Sequence, residues 1–529
     1  MRDFQLPGRS VVMGANGMVA TSQPMATQAG LAVLQRGGNA LDAAITAGAV
    51  ICVTEAGSTG IGGDCFILYH EAATGKLHGL NGSGRTPARA TVAEYRARGL
   101  TEMPKRGILS VTVPGAIDAW GTALERFGTI GLGEALEPAI AFAEEGYAVS
   151  PMVARKWQAA EEMLAAHPDS RRALLVDGRA PAAGTKHRQP ELAASLRLIA
   201  TEGRRAFYEG RIAERIVQLS REQDGLLELD DLAAHRSDWV EPIHTDYRGI
   251  RLCEIPPNGQ GITALMTLNI LEHARLGEME HLGPDHVHAF AEAFRLAVAE
   301  RDTYVSDLGF NEVPVAALLA KDFAARQYGR IDPARALAHP LTSALHPAPN
   351  TIYLSVVDRD RNCCSFINSL YKGFGSGLVA GDTGIVLQNR GWDFVLDEGH
   401  FNAMAPRKRP MHTIIPAMAY RGDQPVLCFG VMGGDFQALG HSYVLSNWLD
   451  FGMDLQEAVD APRFQALKGR LEVERGVPGA TREALAARGH TVVDVAEPLG
   501  GAQLIYIDAE AGVLQAASDP RKDGLALGY

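Results

Sequence analysis

The sequence predicts a mixed α/β protein in which buried helices pack against sheets. Three segments predict it. Residues 40–53 are apolar almost all round, the pattern of a helix enclosed by protein rather than lying on a surface. Thr351, Tyr353, Ser355 and Val357 alternate with Ile352, Leu354 and Val356, the period of two expected of a strand. Pro425 to Met432 is a buried-strand run that ends in Gly433-Gly434 and passes into a helix beginning near Phe436.

The remaining elements follow in order. Ser22 to Gln35 has a helical pattern, with Ser22 as N-cap and Pro24 in the first turn, and Gly37-Gly38 stops it. Asn39 caps the apolar helix that follows. Gly57 to Asp64 is a glycine-rich loop leading into a strand from Cys65 to His70. Residues 130–240 read as mostly helical and rich in Ala, Glu and Arg. A strand over Arg251 to Ile255 runs through Pro256-Pro257-Asn258-Gly259-Gln260-Gly261 into a helix over Ile262 to Leu276, and a long helix covers His286 to Tyr304. Residues 309–350, with Pro314, Pro333, Pro340, Pro347 and Pro349, read as an exposed, cleavable connector. From residue 351 strands dominate until a helix near 437–451, and Asp358 to Asn362 is the turn into a second strand, Cys363 to Leu370. No internal repeat and no low-complexity segment is present.

The bulk properties narrow the function. A chain of 529 residues is too long for one simple core, and 46% hydrophobic with 21% charged residues is an ordinary globular composition. The net charge is −12 and no basic run exceeds Arg407-Lys408-Arg409, which disfavours nucleic acid as a partner. Met1 to Pro7 lacks the apolar core of an export signal, and no stretch reads as a membrane span. Cys52, Cys65, Cys253, Cys363, Cys364 and Cys428 show no metal-ligand spacing. They read as reduced core thiols of a cytoplasmic protein.

The chemistry centres on Thr351. A threonine hydroxyl is a poor nucleophile without a base. If the chain were cut before Thr351, its own α-amine would lie beside Oγ, with a pKa of about 7.7–8.0 suited to accept a proton at neutral pH. One residue would then supply nucleophile and base. Gly433-Gly434, at a strand-to-helix junction, leaves backbone N–H groups bare for an oxyanion, with Asp435 as cap of the next helix. Taken alone, a threonine opening a strand is an ordinary β-former and a Gly-Gly pair an ordinary tight turn. Their ordered combination carries the reading.

That combination resembles the γ-glutamyltransferase family of N-terminal-nucleophile hydrolases over nearly the whole chain. The resemblance is carried by Met18 to Ser22, Gly37-Gly38-Asn39-Ala40-Leu41-Asp42-Ala43-Ala44, Gly60-Ile61-Gly62-Gly63-Asp64 and the Pro256-Pro257 element. It continues through Thr351 to Asp358, Phe374-Gly375-Ser376-Gly377, Lys408-Arg409-Pro410, Gly433-Gly434 and Ala461-Pro462-Arg463-Phe464. It implies a four-layer αββα sandwich, cut by the chain itself between Asn350 and Thr351. Residues 1–350 would form a large subunit and 351–529 a small one, intertwined as one unit. It implies that Thr351 is the nucleophile, that Ser369 hydrogen-bonds it, that Gly433 and Gly434 form the oxyanion hole, and that Asp393 grips the α-amino group of a γ-glutamyl substrate.

Several positions depart from the transpeptidases. Tyr371 stands where they place an Asn, Arg390 where they place a Gln or Glu, and His412-Thr413 where they place a Ser-Ser pair. The arginine expected to hold the substrate α-carboxylate falls near Arg85, out of perfect register. Only 11 residues separate Phe394 from Pro406, so the lid loop is short. These features resemble the branch containing glutaryl-cephalosporin-acylase-like and oxamate-amidohydrolase-like proteins, and Arg390 favours a carboxylate-bearing acyl group. The expected partners are a small amide substrate, water or an amino-acid acceptor, and the two subunits of one precursor, with a heterotetramer as the oligomeric form. No metal or organic cofactor is implied.

Alternative readings stay on the table. A true γ-glutamyltranspeptidase or glutathione hydrolase is the nearest. Nucleotide binding at Gly57 to Gly63 lacks the Lys-Ser/Thr of a phosphate loop. A metal site at His286, His288 and Glu292 puts only 288 and 292 on one helix face, so packed histidines fit better. Gly375-Ser376-Gly377 fails the spacing of a nucleophile elbow. A non-catalytic small-molecule-binding protein on the same fold would be expected to have lost Thr351 or the glycine pair.

Overall fold

The computed structural model describes residue 5 and residues 8–338 and 351–529. Asn350, the residue before the expected cut, lies outside the described residues.

Two seven-stranded antiparallel sheets lie face to face. One runs in the order Val12–Gly14, Val513–Ser518, Gly501–Asp508, Gln424–Met432, Ala417–Arg421, Ile250–Glu254, Ile243–Tyr247. The other runs Leu525–Gly528, Met18–Thr21, Ile352–Val357, Cys363–Ser369, Asp64–Glu71, Lys76–Gly82, Asp238–Val240. Ile352–Val357 therefore sits near the middle of its sheet, paired with Met18–Thr21 on one side and Cys363–Ser369 on the other. The strand alternation has a direct cause. Ile352, Leu354 and Val356 face a helical layer that includes Ala40–Thr54, while Tyr353 faces the opposite sheet. Gly430 of that sheet admits the Tyr353 ring, since a Cβ there would lie 2.4 Å from it. The helices Gly261–Leu271, Pro284–Tyr304 and Phe436–Leu449 cover the other outer face. The layers are thus αββα, as the resemblance implies.

Asn39 caps Ala40–Thr54 by accepting from Leu41 and Asp42 N–H, and Asp42 completes a capping box. Other boundaries differ from expectation. Gln23, not Ser22, is the N-cap of Pro24–Gln35, because Ser22 Oγ is drawn to Glu55 Oε2 at 2.9 Å. The helix after Gly261 ends at Leu271, and residues 309–338 include the helices Val315–Leu318 and Lys321–Tyr328. Between Ser369 and Ala417 the chain makes only isolated bridges and short 3-10 turns, so strands do not dominate there. Those residues line the site instead of extending a sheet. Asp435 occupies the cap position of Phe436–Leu449 without capping it, and its Oδ1 lies 3.5 Å from Arg301 Nη1.

Candidate active site

Thr351 stands at the end of its strand, where register pairing places Ile352 opposite Asn368 and brings Ser369 alongside. Thr351 Oγ1 and Ser369 Oγ are 3.0 Å apart, and both residues are buried. The backbone N–H of Tyr371 donates to Ser369 Oγ at 2.8 Å, which orients that hydroxyl against Thr351. Tyr371 has φ 77°, so the chain turns sharply after Ser369. The Gly60-to-Asp64 loop packs behind it: a Cβ on Gly63 would lie 2.3 Å from the Ser369 carbonyl oxygen, a close approach that only glycine permits.

Gln424–Met432 delivers Gly433 and Gly434 to the same end of the sandwich, with φ 131° and 59°. Among the described residues neither N–H meets a protein acceptor. Gln260 fixes this turn. Its Nε2 donates to the carbonyls of Gly434 (2.9 Å) and Thr413 (2.8 Å), while its Oε1 accepts from Arg301 Nη1 at 2.6 Å. Sequence reasoning saw Gln260 only as part of a motif and did not single out Arg301, a fully buried cation on Pro284–Tyr304. A Gln beside a Gly at a strand-to-helix junction is the available signal for the former; the latter had none.

A second cluster adjoins. Tyr371 OH donates to Asp393 Oδ1 in a short hydrogen bond. Arg390 Nη1 donates to Asp393 Oδ2 at 3.1 Å and to Thr413 Oγ1 at 2.9 Å. Both oxygens of Asp393 are therefore engaged by protein. Burial raises the Asp393 pKa, and the Arg390 charge and Tyr371 hydrogen bond oppose that shift. Arg390 Nε and Nη2 are buried with no partner among the described residues. Buried donors of this kind are costly unless a ligand or water meets them.

His412 does not face this cluster's carboxylate. Its Nε2 lies 3.2 Å from Asp64 Oδ2, and its pKa is pushed well below the ordinary value by burial, then by Arg390 and Arg409. Burial pushes Asp64 up to about 7, against the pull of Arg390. Both shifts favour the uncharged forms, so the contact is closer to a neutral hydrogen bond than to an ion pair.

Arg85 joins none of these contacts. Its Nη2 lies 2.9 Å from Asp238 Oδ2 and its side chain is 31% exposed. The inward guanidinium beside the Ser83-Gly84 loop is Arg409, whose Nε donates to the Ser83 carbonyl at 2.9 Å. The structure thus gathers Thr351, Ser369, Tyr371, Arg390, Asp393 and Thr413, sets Gly433 and Gly434 beside them through Gln260, and leaves Arg85 at the rim. The short connection after Phe394 folds back, so that Phe394, Leu396 and Met404 pack with Tyr371 and Trp392.

Elsewhere, His288, Glu292 and His490 bring their donor atoms within 4.8 Å of one another. His288 Nδ1 faces His490 Nε2 at 2.8 Å, and Glu292 accepts from Arg295 Nη1 at 2.6 Å and Leu337 N at 2.9 Å. Hydrogen bonds account for the group, and His286 is packed among aromatic rings instead.

The family model described as Gamma-glutamyltranspeptidase matches residues 26–529. The chain is 40% identical to the Glutathione hydrolase-like YwrD proenzyme of Bacillus subtilis (strain 168), over 98% of this chain and 99% of that one. It is 34% identical to the Oxamate amidohydrolase proenzyme of Klebsiella pneumoniae subsp. pneumoniae, again over 98% and 99%. Among solved structures, cephalosporin acylase from Bacillus halodurans superposes with a TM-score of 0.94 at 41% identity, covering 100% of this chain and 99% of that one.

Proposed function

Because this chain belongs to the gamma-glutamyltranspeptidase family and is an amide-cleaving N-terminal-nucleophile hydrolase, we propose that it matures by cutting itself before Thr351 and then hydrolyses amides of a small anionic acyl group that lacks an α-amino group. In this reading Thr351 Oγ attacks the amide carbonyl. The new α-amine takes the hydroxyl proton and delivers it to the leaving nitrogen as the C–N bond breaks. The N–H groups of Gly433 and Gly434 receive the oxyanion. Water then attacks the acyl-enzyme, and the α-amine accepts its proton while Oγ is released.

One observation carries the substrate assignment. Asp393, the carboxylate that would grip an α-amino group, spends both oxygens on Tyr371 and Arg390. Arg390 keeps two buried nitrogens without a partner among the described residues, which suits an acyl carboxylate such as that of a glutaryl or oxamate group. Glutathione hydrolysis is the second reading, favoured by the retention of Asp393. Six buried free thiols support action in the cytoplasm, and two large–small units pairing as a heterotetramer is the oligomer we propose. The test is a matched pair of γ-glutamyl and glutaryl anilides, each with and without a dipeptide acceptor. Faster glutaryl release, little changed by acceptor, is expected. Efficient γ-glutamyl transfer with the glutaryl amide ignored would overturn the assignment.

A further inference from the structure

The ladder between Ala417–Arg421 and Gln424–Met432 ends with Ala417 opposite Phe429. Continued in the same register, it would set Ile415 opposite Val431. Instead the strands part. The Ala417 N–H already turns to Ser365 Oγ at 3.0 Å. Beyond it, Ile415 and Val431 give their N–H groups to two side chains of one helix, Phe436–Leu449. Ile415 N–H donates to Gln437 Oε1 at 3.0 Å, and Val431 N–H donates to His441 Nε2 at 3.0 Å. Gln437 and His441 are an i, i+4 pair, hence on one helix face, and both are fully buried. Gly440 lets that face come close, since a Cβ there would lie 2.8 Å from Val431 Cγ1. Because His441 Nε2 accepts, it carries no proton, and Nδ1–H donates to Glu254 Oε1 at 2.7 Å.

This arrangement costs stability. Gln437 Nε2 and Glu254 Oε2 are buried with no partner among the described residues, a burden that apolar side chains would avoid. The ends of the gap show what it serves. Thr413, two residues before Ile415, holds Arg390 Nη1 on its Oγ1 at 2.9 Å. Gly433 stands two residues beyond Val431. An acyl group with its carbonyl at the Gly433-Gly434 turn and its carboxylate on Arg390 would span this gap.

We propose that Gln437 and His441 are positioning residues that hold the two strand ends apart, and that the spacing they impose selects the length of the acyl chain. This rests on Arg390 as the acyl anchor and on the glycine pair as the oxyanion hole. Each side chain acts through the backbone N–H it receives. Gln260 limits the spacing from the other direction, because its Nε2 is bonded to both the Thr413 and the Gly434 carbonyls.

The test uses the mature enzyme on the 4-nitroanilides of malonic, succinic, glutaric and adipic acids, which lengthen the acyl chain one methylene at a time. Wild type is expected to show one preferred length, with kcat/KM about tenfold lower one methylene to either side. Gln437→Met keeps the bulk and removes the acceptor; His441→Ala removes both. Each should flatten the profile to within about threefold and lower kcat at the preferred length by about tenfold, with KM changed less. His441→Gln offers an oxygen to the Val431 N–H and should restore the profile. Melting curves identify any variant that fails to fold, and Gln437→Met with His441→Gln still read the proposal if His441→Ala does not. A folded Gln437→Met with the wild-type profile and kcat would overturn it. So would a loss shared equally by all four lengths, or a His441→Gln no better than His441→Ala. Failure of the acyl-anchor reading looks different: wild type would ignore all four anilides. The same variants are then read on γ-glutamyl-4-nitroanilide, where a fall in kcat supports the positioning role and unchanged kinetics overturn it.

Discussion

The guanidinium of Arg390 lies over the ring of Tyr371, 3.9 Å from its centre, and the two side chains close on opposite oxygens of Asp393. In the function proposed above, the three groups act as a unit in place of an amino-group clamp. Replacing Tyr371→Asn together with Arg390→Gln should release both oxygens of Asp393. Preference should then move from glutaryl toward γ-glutamyl anilide by about ten- to a hundredfold, since a hydrogen bond to a charged group contributes roughly 1.5–3 kcal/mol. Arg390→Ala alone is a poorer probe. It strands a buried carboxylate, which costs about 3–5 kcal/mol, so a melting curve must accompany its kinetics. An unchanged acyl preference in a well-folded double variant would refute the role given to this triad.

Maturation offers the most direct check. Purified protein should run as fragments of 350 and 179 residues (529 − 350), and Edman sequencing of the smaller should begin Thr-Ile-Tyr-Leu. Thr351→Ala should remain one uncut, inactive chain, whereas Thr351→Ser keeps a hydroxyl and should still cut slowly. Full activity in an intact chain would dispose of the mechanism.

The oxyanion role proposed for Gly433-Gly434 can be tested apart from Thr351. Gly434 has φ 59°, a conformation that a β-branched residue adopts only with strain. Gly434→Val should lower kcat by about 10²–10³, the effect of losing one oxyanion donor. Gln260→Glu, which removes the amide donor to the Gly434 and Thr413 carbonyls, should lower kcat more than it raises KM. Normal turnover in both would reduce the pair to a structural turn.

Much of this was legible in the sequence, for identifiable reasons. The strand at Thr351 was readable because its two faces meet different surroundings, helices on one side and a sheet on the other. Asn39 was readable because its side chain does what an N-cap does. Ser22 misled because a serine before a helix can be claimed by a buried acid, here Glu55. Asp435 misled in the same way through Arg301. That Arg409 is the more buried of the two arginines beside Asp238 could not be read at all: it depends on how the Ser83 loop meets residues more than 300 positions away, and sequence carries no local trace of that. Neither did it reveal that Asp393 is engaged by its own neighbours rather than waiting for substrate.

Asp64 supplies a pH prediction with a definite sign. Its folded pKa is pushed up to about 7 by burial, whereas an unfolded aspartate titrates near about 3.9. The folded state therefore binds the proton more tightly. The stabilisation this gives is complete below the unfolded value and is lost as pH rises through about 7. His412 is depressed by its own burial and acts in the opposite sense at lower pH. Asp64→Asn removes the titration while retaining a carbonyl oxygen for the Gly84 N–H and gaining an N–H that can face His412 Nε2. Melting temperatures measured from pH 5 to pH 8 should fall less in the Asn variant than in wild type, with the two curves diverging most toward the alkaline end. Every other titrating group is common to both proteins, so the difference isolates Asp64. Parallel curves across that range would mean that Asp64 is ionised in the folded protein throughout.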